Sequence, residues 1–423
     1  MPQELAVAIV HDPSSGYTLR PPRAPRDPGR EAPRDLRIIV RHTAHGALSV
    51  TACASWLPAR ERWTSARLET SLDVLRGKAS TLRYEWNRLV VNHVDENPVP
   101  GSRIGGHPLS ERTDLTQHSP LVETLVKNLA EEGFDVLDVM LDGRGSGLRR
   151  FREFFLGALA DEENLRISFD SDLPLPWPML AVNPSLFKDP WDAFLGHRHQ
   201  IEQTSTAQSW VQQMRLEPRL RAVTSLNTDT TLDGVGRAAD VRDLLDQKSQ
   251  LTVRTQAEDL LNALNSAVLP EDLMYFWCHG TFTDEDPPNR RLVIKLSDAD
   301  LIDSAKVDRK RRPWRDKPQR FKPFVLLNAC HTGQTSSGTH AEHLSATLID
   351  LGADGVLGPQ IEIPQVFASE YAYSFLDLYL EGRHTAGEIS RLLVRTFAKQ
   401  FHNPLALTYS LHCGLHSRLD LAS

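Results

Sequence analysis

Two short apolar runs constrain this chain more than any other feature: LMYFWC at positions 273–278 and FVLLNA at 324–329. Each is too short for an ordinary helix and rich in aromatic or branched side chains, so each reads as a strand buried on both faces. Strands of that kind belong to parallel sheets covered by helices on either side. The flanking pattern agrees. Strands are predicted at 220–226, 251–254, 353–358 and 405–413, and an edge-like alternating strand at 291–296. Helices are predicted between them at 234–245, 257–268, 341–351, 367–381 and 386–401. Regular alternation of this sort predicts an α/β fold with a parallel sheet.

The first 160 residues read differently, as a smaller α+β region. Apolar runs at 6–10, 35–41 and 47–54 predict strands, and 20–34, crowded with proline and arginine, predicts a loop. Residues 66–97 read as mostly helical and 97–117 as a connector. A helix at 121–132, a short strand at 134–141 and a helix from Gly145 and Gly147 to about 160 follow. A strand at 165–169 then leads into LPLPWPML at 173–180, whose prolines forbid regular structure and whose Trp177 should anchor a turn on the core. The organisation is therefore 1–160 as an N-terminal region and 161–423 as the main domain. A chain of 423 residues accommodates this. A net charge of −7 argues against a general binder of nucleic acid or membrane surfaces. No apolar run approaches a membrane span, and the N-terminal MPQELAVAIVHDP lacks the pattern of a signal peptide. The four cysteines, Cys53, Cys278, Cys330 and Cys413, form no metal-ligand or C-x-x-C spacing, which suits reduced thiols in a cytoplasmic protein.

The two central strands end in reactive residues, one in His279-Gly280 and the other in Cys330. In open α/β sheets ligands bind beyond the carboxyl ends of the strands. If these strands are neighbours, His279 and Cys330 share that crevice. A thiol becomes a nucleophile near neutral pH only with a base or an electropositive setting, and His279 offers one. In that arrangement the backbone N–H groups of Gly280 and Cys330 would stabilise an oxyanion, and Gly333 would allow a tight turn before the next helix. The blander alternatives are a core histidine and a buried packing thiol. Cys278, adjacent to His279, should point to the opposite face and pack in the core. His331 is a weaker candidate base than His279, and Cys53 and Cys413 read as packing residues.

From about 164 to 414 the chain resembles the CHAT family of caspase-like cysteine peptidases. LPLPWPML resembles the family's entry motif, WCHG its strand-then-His-Gly motif and LLNACHTG its strand-then-Cys motif. AEHLSATLIDLGADGVLG resembles the helix and strand that follow, and LTYSLHCG its closing strand. The resemblance implies a caspase-like parallel-sheet α/β sandwich and a cysteine endopeptidase using His279 and Cys330. It also implies a role in bacterial defence or cell death, with activity switched by a partner. No 34-residue helical repeat accompanies the domain. Residues 1–160 read either as a degenerate half of a doubled caspase-like core or as a regulatory sensor.

The substrate pocket is less sharply drawn. The position two before the cysteine, which helps line the first specificity pocket in related folds, is the neutral Asn328. Asp284 and Asp286, with Glu285 between them, and Glu362 are acidic candidates that would favour a basic side chain, though the 284–286 run also reads as a solvated loop. The most basic stretch, KVDRKRRPWRDKPQRFK at 306–322, reads as a flexible surface loop. Between Arg309 and Arg320 it also offers a site for nucleic acid, an acidic partner or self-cleavage. No phosphate loop of the Walker type is present. Asp170 and Asp172 have no convergent metal partner in sequence, so no cofactor is expected, with calcium activation left open. The reading is a cytoplasmic endopeptidase acting on protein and held in check by residues 1–160 or an activating or inhibitory partner. The alternative is a catalytically silent scaffold binding a partner, nucleic acid or nucleotide signal.

Overall fold

A computed structural model describes residues 34–43, 47–59, 61–94, 106–171, 173, 175–204, 219–283, 292–314, 317, 319–329 and 344–422. The strand expected at 6–10 and nearly all of the 20–34 loop lie outside the described residues, and Arg34–Ser423 forms one compact unit. It opens with β1 (Leu36–His42), β2 (Leu48–Ala54) and β3 (Trp63–Leu68), then α1 (Leu72–Trp86), α2 (Ser119–Met140) and α3 (Ser146–Asp161). Next come β4 (Arg166–Ser171), α4 (Leu195–Arg198), β5 (Gln200–Thr204), β6 (Ala222–Thr228), α5 (Ala238–Lys248) and β7 (Ser249–Arg254). These lead to α6 (Ala257–Leu264), β8 (Leu273–Trp277), β9 (His279–Phe282), β10 (Leu292–Lys295), β11 (Leu301–Ile302) and α7 (Ser304–Arg311). The last elements are β12 (Phe324–Asn328), α8 (Leu344–Asp350), β13 (Gly355–Pro359), α9 (Gln365–Leu380), α10 (Ala386–Phe401) and β14 (Tyr409–His412).

Among the described residues eleven strands form one sheet in the order β3-β2-β1-β4-β5-β14-β13-β12-β8-β6-β7. The strands of the N-terminal region thus extend the same sheet as the rest of the chain. β1, β4, β5 and β14 run parallel to one another, as do β13, β12, β8, β6 and β7. The two groups meet at the antiparallel pair β13–β14. A separate sheet, β11-β10-β9, flanks the second group. The apolar runs that pointed to buried strands are explained by the two faces they serve. Leu273, Tyr275 and Trp277 face one core with Phe324 and Leu326, under α5 and α9. Met274, Phe276 and Cys278 face a second core with Val325 and Leu327, under α6, α7 and α8. Both faces are covered, so no position in either strand can be polar without a specific partner.

Three expectations are corrected. The strand predicted at 134–141 is the second half of α2, whose buried positions (Val122, Leu125, Val126, Leu129, Gly133, Val136, Leu137 and Met140) keep helical spacing throughout. Gly133 looks like a helix stop but serves a close approach. A Cβ there would lie 2.6 Å from the carbonyl oxygen of Met179, so α2 packs directly on the LPLPWPML segment. The helix predicted from residue 66 is preceded by β3 and begins at Leu72, where the Ser71 side chain accepts the Val74 N–H as an N-cap. The basic stretch is not a loop throughout. It holds α7, and Arg311 is fully buried, donating to Leu264 O at 3.1 Å as well as to Ser266 O and Gln319. Its neighbour Arg312 pairs with Asp308 at 2.8 Å, and Trp314 Nε1 donates to Asn265 O at 3.1 Å. Arg311 is therefore withdrawn from the basic surface, while Arg309, Arg312 and Lys317 remain exposed.

Trp177 does anchor the proline-rich segment. It is fully buried in a 3-10 turn, stacked on Phe169 at 3.7 Å between ring centroids. Beyond it, His199 is buried with its Nε2–H directed at Leu159 O, 3.0 Å away. Burial lowers its pKa from 6.5 to about 3, with Arg198 and Arg391 adding to the effect against the Leu159 hydrogen bond. The unfolded chain takes up this proton near pH 6.5 while the folded chain does so only near 3. Stability from this group is therefore complete above about pH 6.5 and falls as pH drops toward 3. His197, lowered in the same direction, adds to the slope. We expect the urea midpoint to decline across that window and the decline to be shallower in His199→Gln. An unchanged slope would show that other groups govern acid sensitivity.

Candidate active site

β8 and β12 are hydrogen-bonded neighbours, parallel and in register, with Trp277 opposite Asn328. β6 lies on the other side of β8, with Thr228 opposite Trp277. Three strands therefore end at one level, and the chain leaves them at Asp229, Cys278 and Ala329. His279 is two residues beyond Trp277, past a bend at Cys278. It starts β9, and its pairing with Lys295 of β10, followed by Gly280 with Ile294, fixes the backbone there. The imidazole is 48% exposed, open to solvent at the strand ends.

The residue that local sequence reading missed is Asp229. It directly follows β6, and its N–H donates to Trp277 O at 3.0 Å. One carboxylate oxygen accepts the Thr231 N–H at 3.0 Å and the Thr231 hydroxyl at 2.9 Å. The other lies 3.8 Å from His279 Nε2. The carboxylate is 11% exposed, held beside a far more open imidazole. Ser297 braces the turn by accepting the Thr230 N–H at 2.9 Å. An Asp at a strand end that begins a 3-10 turn reads locally as a cap. Only adjacency of β6 and β8 brings it to the histidine.

Asn328 is buried, and its amide is engaged on three sides. Nδ2 donates to Ala368 O at 2.8 Å and lies 3.3 Å from the Tyr275 hydroxyl, while Oδ1 accepts the Tyr409 hydroxyl at 2.6 Å. Its side chain thus ties β12 to β8, α9 and β14. Burial drives the Tyr275 phenol pKa well above its usual value, so that hydroxyl stays protonated. Glu362 is exposed just past the carboxyl end of β13, between the buried Ile361 and Ile363. Cys330, Asp284 and Asp286 lie outside the described residues.

Two of the other thiols sit where packing, not chemistry, accounts for them, and Cys53 is half-buried on β2. Cys278 is buried in the second core. Cys413 is buried, and desolvation, reinforced by Glu202, pushes its pKa upward and away from thiolate formation. Asp170 is held by Arg37 at 2.7 Å and Arg41 at 2.6 Å, so its charge is met by guanidinium groups. Asp172 lies outside the described residues. Among the described residues no cluster of three or more His, Cys, Asp or Glu suits a metal ion, and no helix is long and apolar enough to cross a membrane.

The sheet, its helical layers and the convergence of strand ends define a caspase-like α/β fold. The solved separase–securin complex of Saccharomyces cerevisiae matches it over 89% of this chain and 30% of that one, with a TM-score of 0.51 at 10% sequence identity. The chain belongs to the CHAT domain family, whose model matches residues 154–393. A protein of Vitiosangium sp. (strain GDMCC 1.1324) named "Probable protease" is 31% identical over 138 residues, 32% of this chain. The matched stretch is 17% of that relative's length, so the chain covers under a fifth of it.

Proposed function

We propose that this chain is a cysteine endopeptidase in which Cys330 is the nucleophile, His279 its base and Asp229 the group that orients the imidazole. The observation that carries this is register. His279 and Cys330 each follow by two residues a pair, Trp277 and Asn328, that sit opposite one another on adjacent parallel strands. Membership of the CHAT family and the name of the Vitiosangium relative support a peptidase.

In the proposed reaction His279 takes the Cys330 thiol proton and the thiolate attacks the scissile carbonyl. The Gly280 and Cys330 N–H groups hold the oxyanion. The imidazolium then protonates the leaving amine, and water, deprotonated by His279, hydrolyses the thioester. Asn328, Asp284, Asp286 and Glu362 are proposed around the first specificity pocket, with carboxylates favouring Lys or Arg. Because Asn328 is fully hydrogen-bonded, its part is to shape the pocket floor. A bacterial defence or cell-death role, a cytoplasmic setting and restraint by residues 1–160 or a protein partner belong to the same proposal, as does the securin named with separase as a model for such a partner.

The test is labelling of the full chain by peptide electrophiles carrying basic, acidic or neutral first residues. Labelling of wild type that is abolished in Cys330→Ala and preferential for a basic residue is expected. Labelling that persists in Cys330→Ala would overturn the assignment of the nucleophile. No labelling under any activating condition would favour the scaffold.

A further inference from the structure

Away from these strand ends, α2, the segment after the Trp177 turn, and α10 line an open cleft of about 720 Å³, a size suited to a small organic ligand. Lys127 of α2, Lys188 and Lys399 of α10 line it, together with His197 and His402. None of the three lysines is ion-paired among the described residues. The histidines are the more telling part. His197 is 1% exposed, and neither ring nitrogen makes a hydrogen bond; its nearest carboxylate oxygen, on Asp192, is 3.3 Å from Nδ1. His402 Nδ1 is likewise buried without a hydrogen-bond partner. Buried polar atoms are nearly always partnered in folded proteins. Buried ring nitrogens without a hydrogen bond, on two histidines of one cleft, therefore point to a ligand that completes them.

The charge around the cleft selects the ligand's sign. Burial first, and then Arg395, Lys399, Arg391 and Arg198, disfavour a proton on His197 and lower its pKa to about 3. The same positive field repels a metal ion or an organic cation and attracts an anion. Glu123 and Asp189 also line the cleft and Asp192 stands beside His197, but Asp189 already accepts the Trp191 N–H at 3.1 Å, and Arg198, Arg391 and Arg395 add to the three lysines on the positive side. Trp191 and Pro190 supply an apolar wall. His402 caps α10 with φ at 49°, a left-handed conformation that glycine adopts most readily. An imidazole there is not what the helix end alone requires.

We propose that this cleft binds a small phosphorylated molecule, its oxyanion held by Lys127, Lys188 and Lys399 and by the rings of His197 and His402. Phosphate chemistry fits because it offers several acceptor oxygens to donors approaching from three elements. Binding here is independent of whether Cys330 is a nucleophile.

The test is calorimetric titration of the full chain with ATP, inorganic pyrophosphate and adenosine at constant ionic strength. Parallel titrations use Lys127→Ala/Lys399→Ala and His402→Gly. Glycine suits the backbone at 402, so the second variant should keep its melting temperature. Saturable binding of ATP or pyrophosphate, weakened at least about tenfold in both variants with folding intact, is expected. ATP binding far more tightly than pyrophosphate would identify a nucleotide. Equal binding would identify the phosphate group itself as the recognised chemistry. Absence of saturable binding by either anion, adenosine binding as tightly as ATP, or affinities unchanged in both variants would overturn the proposal.

Discussion

His279→Ala should lower the rate of peptide hydrolysis, or of electrophile capture by Cys330, by ~10³-fold, within the range typical of a lost general base. Asp229→Asn should cost ~10-fold or more in kcat with little change in KM, because Asp229 touches the histidine and not the substrate. The two variants are best read together. Asparagine at 229 can still accept the Thr231 N–H that the carboxylate accepts at 3.0 Å, so the 3-10 turn Thr230–Leu232 should persist. What is lost is the negative charge near Nε2, 3.8 Å away. That charge faces the ring that takes the Cys330 proton in the proposed reaction, so its loss should fall on kcat and not on KM. An unchanged rate would reduce Asp229 to a cap on the turn. A rate in His279→Ala within threefold of wild type would remove the histidine from the mechanism altogether.

Trp177→Ala should destabilise the protein by about 3–5 kcal/mol, the range seen when a large aromatic is removed from a core. The indole is completely buried and stacks on Phe169 of β4 with the rings 8° from parallel. The cavity cannot close easily, because both neighbours of the segment already approach by backbone. Gly133 of α2 abuts Met179, and a Cβ on Gly196 of α4 would fall 2.8 Å from Pro178. Urea denaturation followed by intrinsic fluorescence and by far-UV circular dichroism measures the loss. Leu392→Ala, at a position 44% exposed, provides the control and should change stability by less than about 0.5 kcal/mol. A loss under 1 kcal/mol for Trp177→Ala would mean that the segment is not a keystone between α2, α4 and β4.

Much of this was legible in sequence where the signal is local and periodic. The buried strands β8 and β12 announced themselves because both faces are covered. α10 kept its helical spacing and opened with Thr385 and Glu388 in a capping box. Irregular structure around Trp177 followed from proline chemistry, and the placing of Cys278 in the core followed from strand parity. β5 escaped notice because its sequence, QIEQT, is polar yet buried. Glu202 is fully buried and survives there by pairing with Arg34 at 2.7 Å and accepting the Leu415 N–H at 3.0 Å, from residues remote in the chain. Gln203 likewise donates to Leu173 O at 3.1 Å. Such partners make a polar strand stable, and no window of neighbouring residues contains them.

The same division runs through the site and the cleft. Residue order alone determined that two apolar strands end in His279-Gly280 and toward Cys330, because burial on two faces leaves few other sequences and few other structures. Tertiary structure alone decided that β6 stands beside β8 and so brings Asp229 to His279. It also decided that Arg311 is drawn inside from a basic run, and that lysines and histidines from α2, α10 and the segment between β4 and β5 face one space. Hydrophobic periodicity is written between neighbours in the chain. The pairing of a charge or an imidazole with its partner is set by which elements pack together, and that depends on the whole sheet.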